Sequence, residues 1–197
     1  MRTKQFFKFF IFAVTSSIFL SCQNMMNEHS PSEIVLSFLR IYPENDANNV
    51  PLNVSIEMEF ALPVDTSILE EDFFLISQSE LENQQCIDNF GGEHKDLHKA
   101  SKNNMLINHI KEMHKIHGKF FWDSLRTKCE FLPERNLKPG TDYYVFLGPK
   151  MFEHMKKIMQ SYDMMRAFMQ MTNCSCCNRN NSNDESIIFH FKTGNNY

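Results

Sequence analysis

The stretch that decides the fold is Val54–Ser55–Ile56–Glu57–Met58–Glu59–Phe60, in which apolar and polar residues alternate. Because successive side chains of a β-strand point to opposite faces, this alternation predicts a half-buried antiparallel strand. The same pattern returns at residues 125–131 and again at residues 187–192. Phe73–Ile76 is rich in aromatic and branched residues, which predicts a further short strand buried on both faces.

The strands are separated by segments that favour turns. Residues 43–49 and 138–142 are rich in Pro, Gly, Asn and Asp, the residue types that reverse the chain. Several short alternating strands with such turns favour a β-sandwich over an α/β fold. Two Met- and His-rich stretches, at about residues 78–117 (the first insertion) and 149–186 (the second insertion), interrupt this frame and are predicted to be helical. We therefore predict an all-β fold with helical insertions, in one domain at residues 34–194.

Segments of the frame share a pattern with a known family. The frame opens with Tyr42–Asn53 (YPENDANNVPLN), continues through Leu137–Tyr143 (LKPGTDY) and closes with Phe189–Gly194 (FHFKTG). In this order the segments resemble the bacterial Ig-like domain found in S-layer proteins. The resemblance implies an Ig-like antiparallel β-sandwich, here capped by two helical segments, that acts as a spacer, adhesive or display module without a shared active site. It also implies that Tyr143 is buried and that its hydroxyl caps backbone at a sheet corner.

The N-terminus carries the features of an export signal. A basic start precedes an apolar run from Phe9 to Leu20, which is too short to span a bilayer and predicts a signal peptide at residues 1–21. The end of that run, Phe19–Cys22, resembles the lipobox of bacterial lipoproteins, which implies acylation of Cys22, palmitate included. Residues 22–33 are polar and predict a tether between the lipid and the folded domain. The alternative is ordinary cleavage or a signal anchor, with Cys22 incidental.

The residue after Cys22 and the net charge bear on location and partners. Gln23, where a retention signal would have Asp, is similar to the signals for onward export, so we expect a lipid-anchored cell-envelope protein at the outer membrane. Removal of residues 1–21 takes away three basic side chains and no acidic one, so the formal net charge moves from −4 to −7. An acidic domain argues against nucleic acid as a partner. The membrane, through the lipid anchor, and a protein are the partners we expect.

Histidines are concentrated in the first insertion, which holds five of the eight in the chain. On a continuous helix His109, Met113 and His117 would be one turn apart, and His114 three residues before His117. Side chains at this spacing share a metal ion readily, so these four residues are candidate ligands for copper or zinc. His94 and His98 have the same four-residue spacing. The alternative is an amphipathic helix whose histidines remain in water or sense pH.

Methionines are concentrated in the second insertion, where Met151–Met171 holds seven of the thirteen. Most of them fall on one stripe at helical spacing. Thioether sulfur is a soft ligand that favours Cu(I), which makes Met155 and Met159 candidate copper ligands. Methionine is also a common filler of apolar cores and of partner-binding grooves, and both alternatives remain open.

The cysteines admit two readings. Cys174, Cys176 and Cys177 offer thiolates to a metal, or, in an oxidising envelope, form disulfides. Cys86 is a candidate disulfide partner for this cluster and would then join the two insertions. Cys129 points inward by strand alternation and predicts a buried thiol.

Two functional hypotheses follow. The sequence contains no Gly-x-Ser-x-Gly or His-Glu-x-x-His motif, so no enzyme is predicted. The first hypothesis is a non-enzymatic cell-envelope lipoprotein without a cofactor, whose Ig-like domain is a structural, adhesive or protein-binding module. The alternative is a periplasmic or surface metal-binding protein that holds copper or zinc with its Met-, His- and Cys-rich insertions.

Overall fold

A computed structural model describes residues 38–161 and 186–195. The strands are β1 (Leu39–Tyr42), β2 (Ala47–Val50), β3 (Ile56–Phe60), β4 (Phe73–Ser77), β5 (Gly118–Trp122), β6 (Lys128–Pro133), β7 (Asp142–Leu147) and β8 (Ile187–Thr193). The helices are α1 (Thr66–Asp72), α2 (Gln78–Leu81), α3 (Gln84–Phe90), α4 (Leu97–Ala100), α5 (Asn104–Met113) and α6 (Pro149–Ser161), with a 3-10 helix (Gly91–Lys95) between α3 and α4.

The strands form two four-stranded sheets. The first sheet has the order β1–β3–β6–β5 and is antiparallel throughout, and the second has the order β2–β8–β7–β4 with one parallel pair, β2–β8. Alternation places one face of each sheet in a shared core, where Phe73 of β4 meets Phe131 of β6 at a ring-centroid distance of 4.7 Å. In β3 and β8 the residues predicted to face inward are buried, which confirms these two strands. The strand predicted over residues 125–131 is confirmed in part, because β6 begins only at Lys128; Cys129 and Phe131 are buried as predicted, whereas Leu125 is 69% exposed.

The predicted turn before β7 is present and holds a buried tyrosine. Gly140 has a φ of +60°, a backbone conformation open to glycine at no steric cost. Tyr143 is buried, and its hydroxyl oxygen accepts a hydrogen bond of 2.7 Å from the backbone N–H of Lys138. The role that the resemblance implied for Tyr143 is therefore confirmed.

A layer of helices covers the outer face of the second sheet. Phe74, Ile76 and Phe146 on that face pack against Leu106 and Ile110 of α5 and against other buried side chains of the first insertion. All five residues of β4 are buried, which confirms the prediction of a strand covered on both sides. Because full burial of one such side chain is worth about 1.5–3 kcal/mol, this interface holds the helices to the sandwich.

The fold contains more helix than predicted. Two mostly antiparallel sheets are present, but six α-helices within the described residues make this a mixed α/β, sandwich-like fold rather than an all-β one. No helix in the described ranges is long and apolar enough to cross a membrane. The signal peptide, Cys22, the tether and residues 162–185 of the second insertion lie outside the described residues.

Candidate metal centre

Four side chains of the first insertion converge on one point. They are Cys86 of α3, His94 of the 3-10 helix, His109 of α5 and His114 directly after α5, and we refer to them as the Cys–His cluster. One ligand atom from each lies within 4.8 Å of every other. Cys86 and His94 are buried, and His109 and His114 are partly buried. Thiolate sulfur and imidazole nitrogen are the donors that zinc prefers in protein sites.

Local signals in the sequence bring the first two residues to the cluster. The side chain of Asn83 accepts a hydrogen bond of 3.3 Å from the N–H of Cys86 and so caps the start of α3, as asparagine does at many helix N-termini. Gly91 ends α3 with a φ of +72°, which glycine adopts more readily than other residues. The chain reverses there, and the 3-10 helix returns His94 toward Cys86.

His109 and His114 meet because α5 ends at Met113, before His114. At about 100° per residue, positions 109 and 114 of a continuous helix would lie roughly 140° apart around its axis. The helix ends at Met113 instead, and His114 is its C-cap, with φ −124° and ψ −7°. This non-helical backbone turns the ring of His114 back toward His109, and the ring centroids are 5.2 Å apart.

The donor spacing fits a tetrahedral ion. Cys86 Sγ lies 3.2 Å from His114 Nε2 and 3.5 Å from His109 Nε2. For zinc–sulfur and zinc–nitrogen bonds of about 2.3 and 2.05 Å, tetrahedral geometry places neighbouring donors roughly 3.3–3.6 Å apart. The two distances from Cys86 Sγ are therefore near the spacing that a bound zinc ion requires, and every other donor pair lies within 4.8 Å.

His94 carries a buried nitrogen without a partner. Its Nδ1–H donates to the backbone carbonyl of Leu81 at 2.8 Å, which leaves Nε2 as the atom with a free lone pair. His94 is 0% exposed, and Nε2 has no hydrogen-bond partner among the described residues. Leaving such a group unsatisfied costs about 1–3 kcal/mol. A metal ion bound by Nε2 would remove that cost.

A carboxylate orients the ring of His114. Its Nδ1–H donates to Glu80 Oε2 at 3.0 Å, while its Nε2 faces Cys86. Metal-binding histidines usually donate their second ring N–H to a carboxylate or a backbone carbonyl, which fixes the tautomer and the ring orientation. Glu80 and Leu81 are adjacent in α2, so one short helix supports two of the four candidate ligands.

The surroundings of His109 favour the neutral imidazole over the charged one. Burial lowers the pKa of its imidazole below the ordinary value, and the nearby rings of His114 and His94 lower it further, against a small opposing effect of Glu112. A neutral imidazole presents the lone pair that a metal ion requires. The ring of His109 also packs on Phe90 at a centroid distance of 4.5 Å, which limits its rotation.

The structure brings together some of the ligands proposed from sequence and separates others. His109 and His114 belong to the cluster, joined by Cys86 and His94, whereas Met113 is 69% exposed and His117 is also exposed. Their helical spacing to His109 and to one another does not apply, because α5 ends at Met113.

The remaining candidates lie elsewhere. Met155 and Met159 of α6 are each 3% exposed and line an apolar cleft with Phe60 and Val64, away from the cluster. Cys174, Cys176 and Cys177 lie outside the described residues. Cys86 forms no disulfide with any described residue. The sequence feature that could have identified Cys86 as a metal ligand is its position among the histidines of the same insertion. This pattern is as typical of a metal-binding thiolate as of a disulfide.

Comparison with known proteins adds little. No protein-family model matches the sequence, and no match was found among curated proteins. Solved structures with some similarity include L,D-transpeptidase 1 of Mycobacterium tuberculosis, at 16% identity and a TM-score of 0.31, covering 54% of this chain and 32% of that chain.

Two further solved structures are similar at the same level. The alpha-2-macroglobulin of E. coli is 9% identical, with a TM-score of 0.33, and 80% of this chain and 6% of that one are covered. An S-layer protein is 12% identical, with a TM-score of 0.27, and 53% of this chain and 10% of that one are covered. The chain thus spans a third or less of these three proteins. At such low TM-scores the likenesses support no inference about fold or activity.

Proposed function

We propose that this chain is a zinc-binding, non-enzymatic module of the bacterial cell envelope, in which one zinc ion holds the helical first insertion in shape. The observation that carries the proposal is the convergence of Cys86, His94, His109 and His114, in which the buried lone pair of His94 Nε2 has no partner in the part of the chain that the structure describes. A buried nitrogen of this kind is rare in folded proteins unless water or an ion satisfies it.

Four protein donors favour a structural role for the ion. Structural zinc sites are closed by four protein ligands, whereas catalytic sites have three and keep a position open for water. With Cys86 and three histidines bound, the ion has no open position, and this supports a module without enzymatic activity. The helices that carry the ligands, namely α3, the 3-10 helix and α5, have 5 to 10 residues. Isolated helices of that length are marginal in water, so a cross-link between them has a large effect.

Zinc is favoured over copper by the donor set. A site of three imidazoles and one thiolate suits zinc, whereas thioether-rich sites select Cu(I). Met155 and Met159 are buried against apolar side chains, and this supports their role as core residues. Copper held by the methionines of the second insertion is therefore the less favoured form of the proposal.

The envelope location and the Ig-like class are parts of the same proposal. The sandwich of two sheets and the hydrogen bond from Lys138 N–H to the Tyr143 hydroxyl support an Ig-like domain, since a buried tyrosine at a strand corner is typical of that class. Acylation of Cys22 would anchor the domain to the membrane, at the outer membrane by our reading of Gln23. Palmitate labelling that disappears in Cys22→Ala tests the anchor, and unlabelled wild type would contradict it.

Metal analysis of the purified full chain tests the zinc site. We expect one equivalent of zinc, and, after replacement by Co²⁺, the intense visible absorption of a tetrahedral ion with a thiolate-to-metal charge-transfer band. His94→Ala and Cys86→Ser should each lose the metal. The matched controls His98→Ala and His117→Ala change exposed histidines of the same insertion and should retain it.

Two results would overturn the zinc proposal. The first is a refolded wild-type chain that holds less than a tenth of an equivalent of zinc under conditions of zinc excess. The second is tight Cu(I) binding that is unchanged in His94→Ala and lost in the double variant Met155→Leu, Met159→Leu, because it would move the site to the second insertion.

A further inference from the structure

The second feature of interest lies on the first sheet, away from the Cys–His cluster. We infer that the outer face of this sheet, the face opposite the core, docks an arginine- or lysine-bearing segment of a partner protein. The inference is independent of zinc binding and rests on the strand register, the unpaired charge and the shape of this face.

Strand register places two acids between two aromatic residues. Tyr42 lies opposite Glu57, Glu57 opposite Glu130, and Glu130 opposite Phe121, in one line across all four strands. We call these residues the Glu57 row. Directly opposite side chains share a face, and all four are exposed, Tyr42 by 49% and Phe121 by 52%. With strands about 4.8 Å apart, the aromatic residues are roughly 14 Å apart.

The charges of this row are not compensated within the described residues. In the adjacent row Arg40 lies opposite Glu59 and Glu59 opposite Lys128, and Lys128 Nζ forms an ion pair with Glu59 at 3.1 Å. Neither Glu57 nor Glu130 forms an ion pair with any described residue. Like charges directly opposite one another on a sheet are destabilising. A cation supplied by a partner would relieve that repulsion.

The shape of the face also suits a ligand. A depression of about 610 Å³ lies over it. Five carboxylates and two cationic side chains line the depression, which gives a formal charge of −3; they are Glu44, Glu57, Glu59, Asp123, Glu130, Arg40 and Lys128. Flanking aromatic rings attract a guanidinium or ammonium group through their π faces. An anionic lipid surface or nucleic acid would be repelled, so a basic protein segment is the complementary partner.

The inference is tested with two peptides that differ only in their positive charge. The probe is a fluorescein-labelled octapeptide that alternates arginine with glycine, and the same peptide with citrulline in place of arginine is its neutral control. Fluorescence anisotropy with the full chain should show binding of the arginine peptide that weakens as salt rises. The citrulline peptide should bind at least tenfold more weakly.

Variants of the chain assign the binding to the Glu57 row. The double variant Glu57→Gln, Glu130→Gln should weaken the arginine peptide at least tenfold, and Tyr42→Ala with Phe121→Ala should weaken it severalfold. The matched control Glu93→Gln, Glu134→Gln removes the same charge from exposed sites elsewhere and should change affinity less than twofold. Glu57→Gln, Glu130→Gln should melt no lower than wild type, which separates loss of binding from loss of folding.

Three outcomes would overturn the inference. They are no binding of the arginine peptide, equal binding of the citrulline peptide, and unchanged affinity in Glu57→Gln, Glu130→Gln. A neutral oligosaccharide that binds through Tyr42 and Phe121 and is insensitive to both glutamates would replace the basic partner with a sugar.

Discussion

If the Cys–His cluster holds zinc as proposed, removal of zinc should destabilise the protein by an amount that thermodynamic linkage gives. A ligand that binds only the folded state stabilises it by RT ln(1 + [L]/Kd), which is about 4.1 kcal/mol when free zinc is 1,000 times its Kd. For a domain of this size each kcal/mol corresponds to roughly 2–4 °C in Tm. Chelation should therefore lower the Tm by roughly 8–16 °C.

The loss should be concentrated in the first insertion. Without metal, Nε2 of His94 is buried and has no hydrogen-bond partner among the described residues. The cross-link between α3, the 3-10 helix and the end of α5 is then lost as well. Thermal unfolding followed by circular dichroism, with excess zinc and with a chelator, gives the Tm difference. Hydrogen exchange should place the largest change at residues 84–114, with the sandwich strands little affected.

Variants decide whether the effect belongs to the Cys–His cluster. In His94→Ala the Tm should be low and insensitive to zinc, whereas exposed His98→Ala should respond as wild type does. A Tm difference below about 2 °C in wild type would refute the reasoning, since it corresponds to less than about 1 kcal/mol. An equal response in His94→Ala would refute it as well.

Four other predictions concern the frame and its core. Ile110→Ala should cost about 2–5 kcal/mol of unfolding free energy in urea titrations, because Ile110 is fully buried between α5 and the second sheet. Tyr143→Phe should cost about 0.5–1.5 kcal/mol through loss of the 2.7 Å hydrogen bond from Lys138. Burial raises the pKa of the Cys129 thiol to about 12, so mass spectrometry should find it unalkylated at pH 8 until the chain is denatured. Backbone hydrogen bonds from Lys128 and Thr127 hold the pKa of Asp123 below its usual value of 3.8. The ionised carboxylate therefore stabilises the folded state above about pH 3.8, and this stabilisation is lost as the pH falls through the folded pKa. In acid titrations Asp123→Asn should lose less unfolding free energy than the wild type does.

The sequence predicts β3 and β8 well because their signal is local, whereas β2 (Ala47–Val50) overlaps a segment predicted to be a turn. The alternation at Ile56, Met58 and Phe60 requires no knowledge of distant residues, and β3 follows it. The turn at Gly140 and the buried Tyr143 likewise follow from a short motif. The helices of the first insertion are harder to predict, because they depend on contacts with residues distant in the sequence. Four short helices of the first insertion are stable because they pack on Phe74, Ile76 and Phe146 of the second sheet, a contact that no segment reveals by itself.

The metal centre was only half predictable for the same reason. The density of histidines indicates a site, but helical spacing selects Met113 and His117, which the structure leaves exposed. The set of side chains that converges in the structure depends on where α5 ends and on the reversal at Gly91 that returns His94 to Cys86. Helix ends are the least predictable parts of a helix, and a single residue at position 114 changes which side chains meet.

X-ray absorption at the zinc edge of the loaded full chain tests the central claim most directly. The account predicts four-coordinate zinc with one sulfur at about 2.3 Å and three imidazole nitrogens at about 2.0–2.1 Å. Loss of the sulfur contribution in Cys86→Ser would assign it to Cys86. Coordination by two or more sulfurs, or six light donors with no sulfur, would contradict the Cys–His cluster as the metal centre.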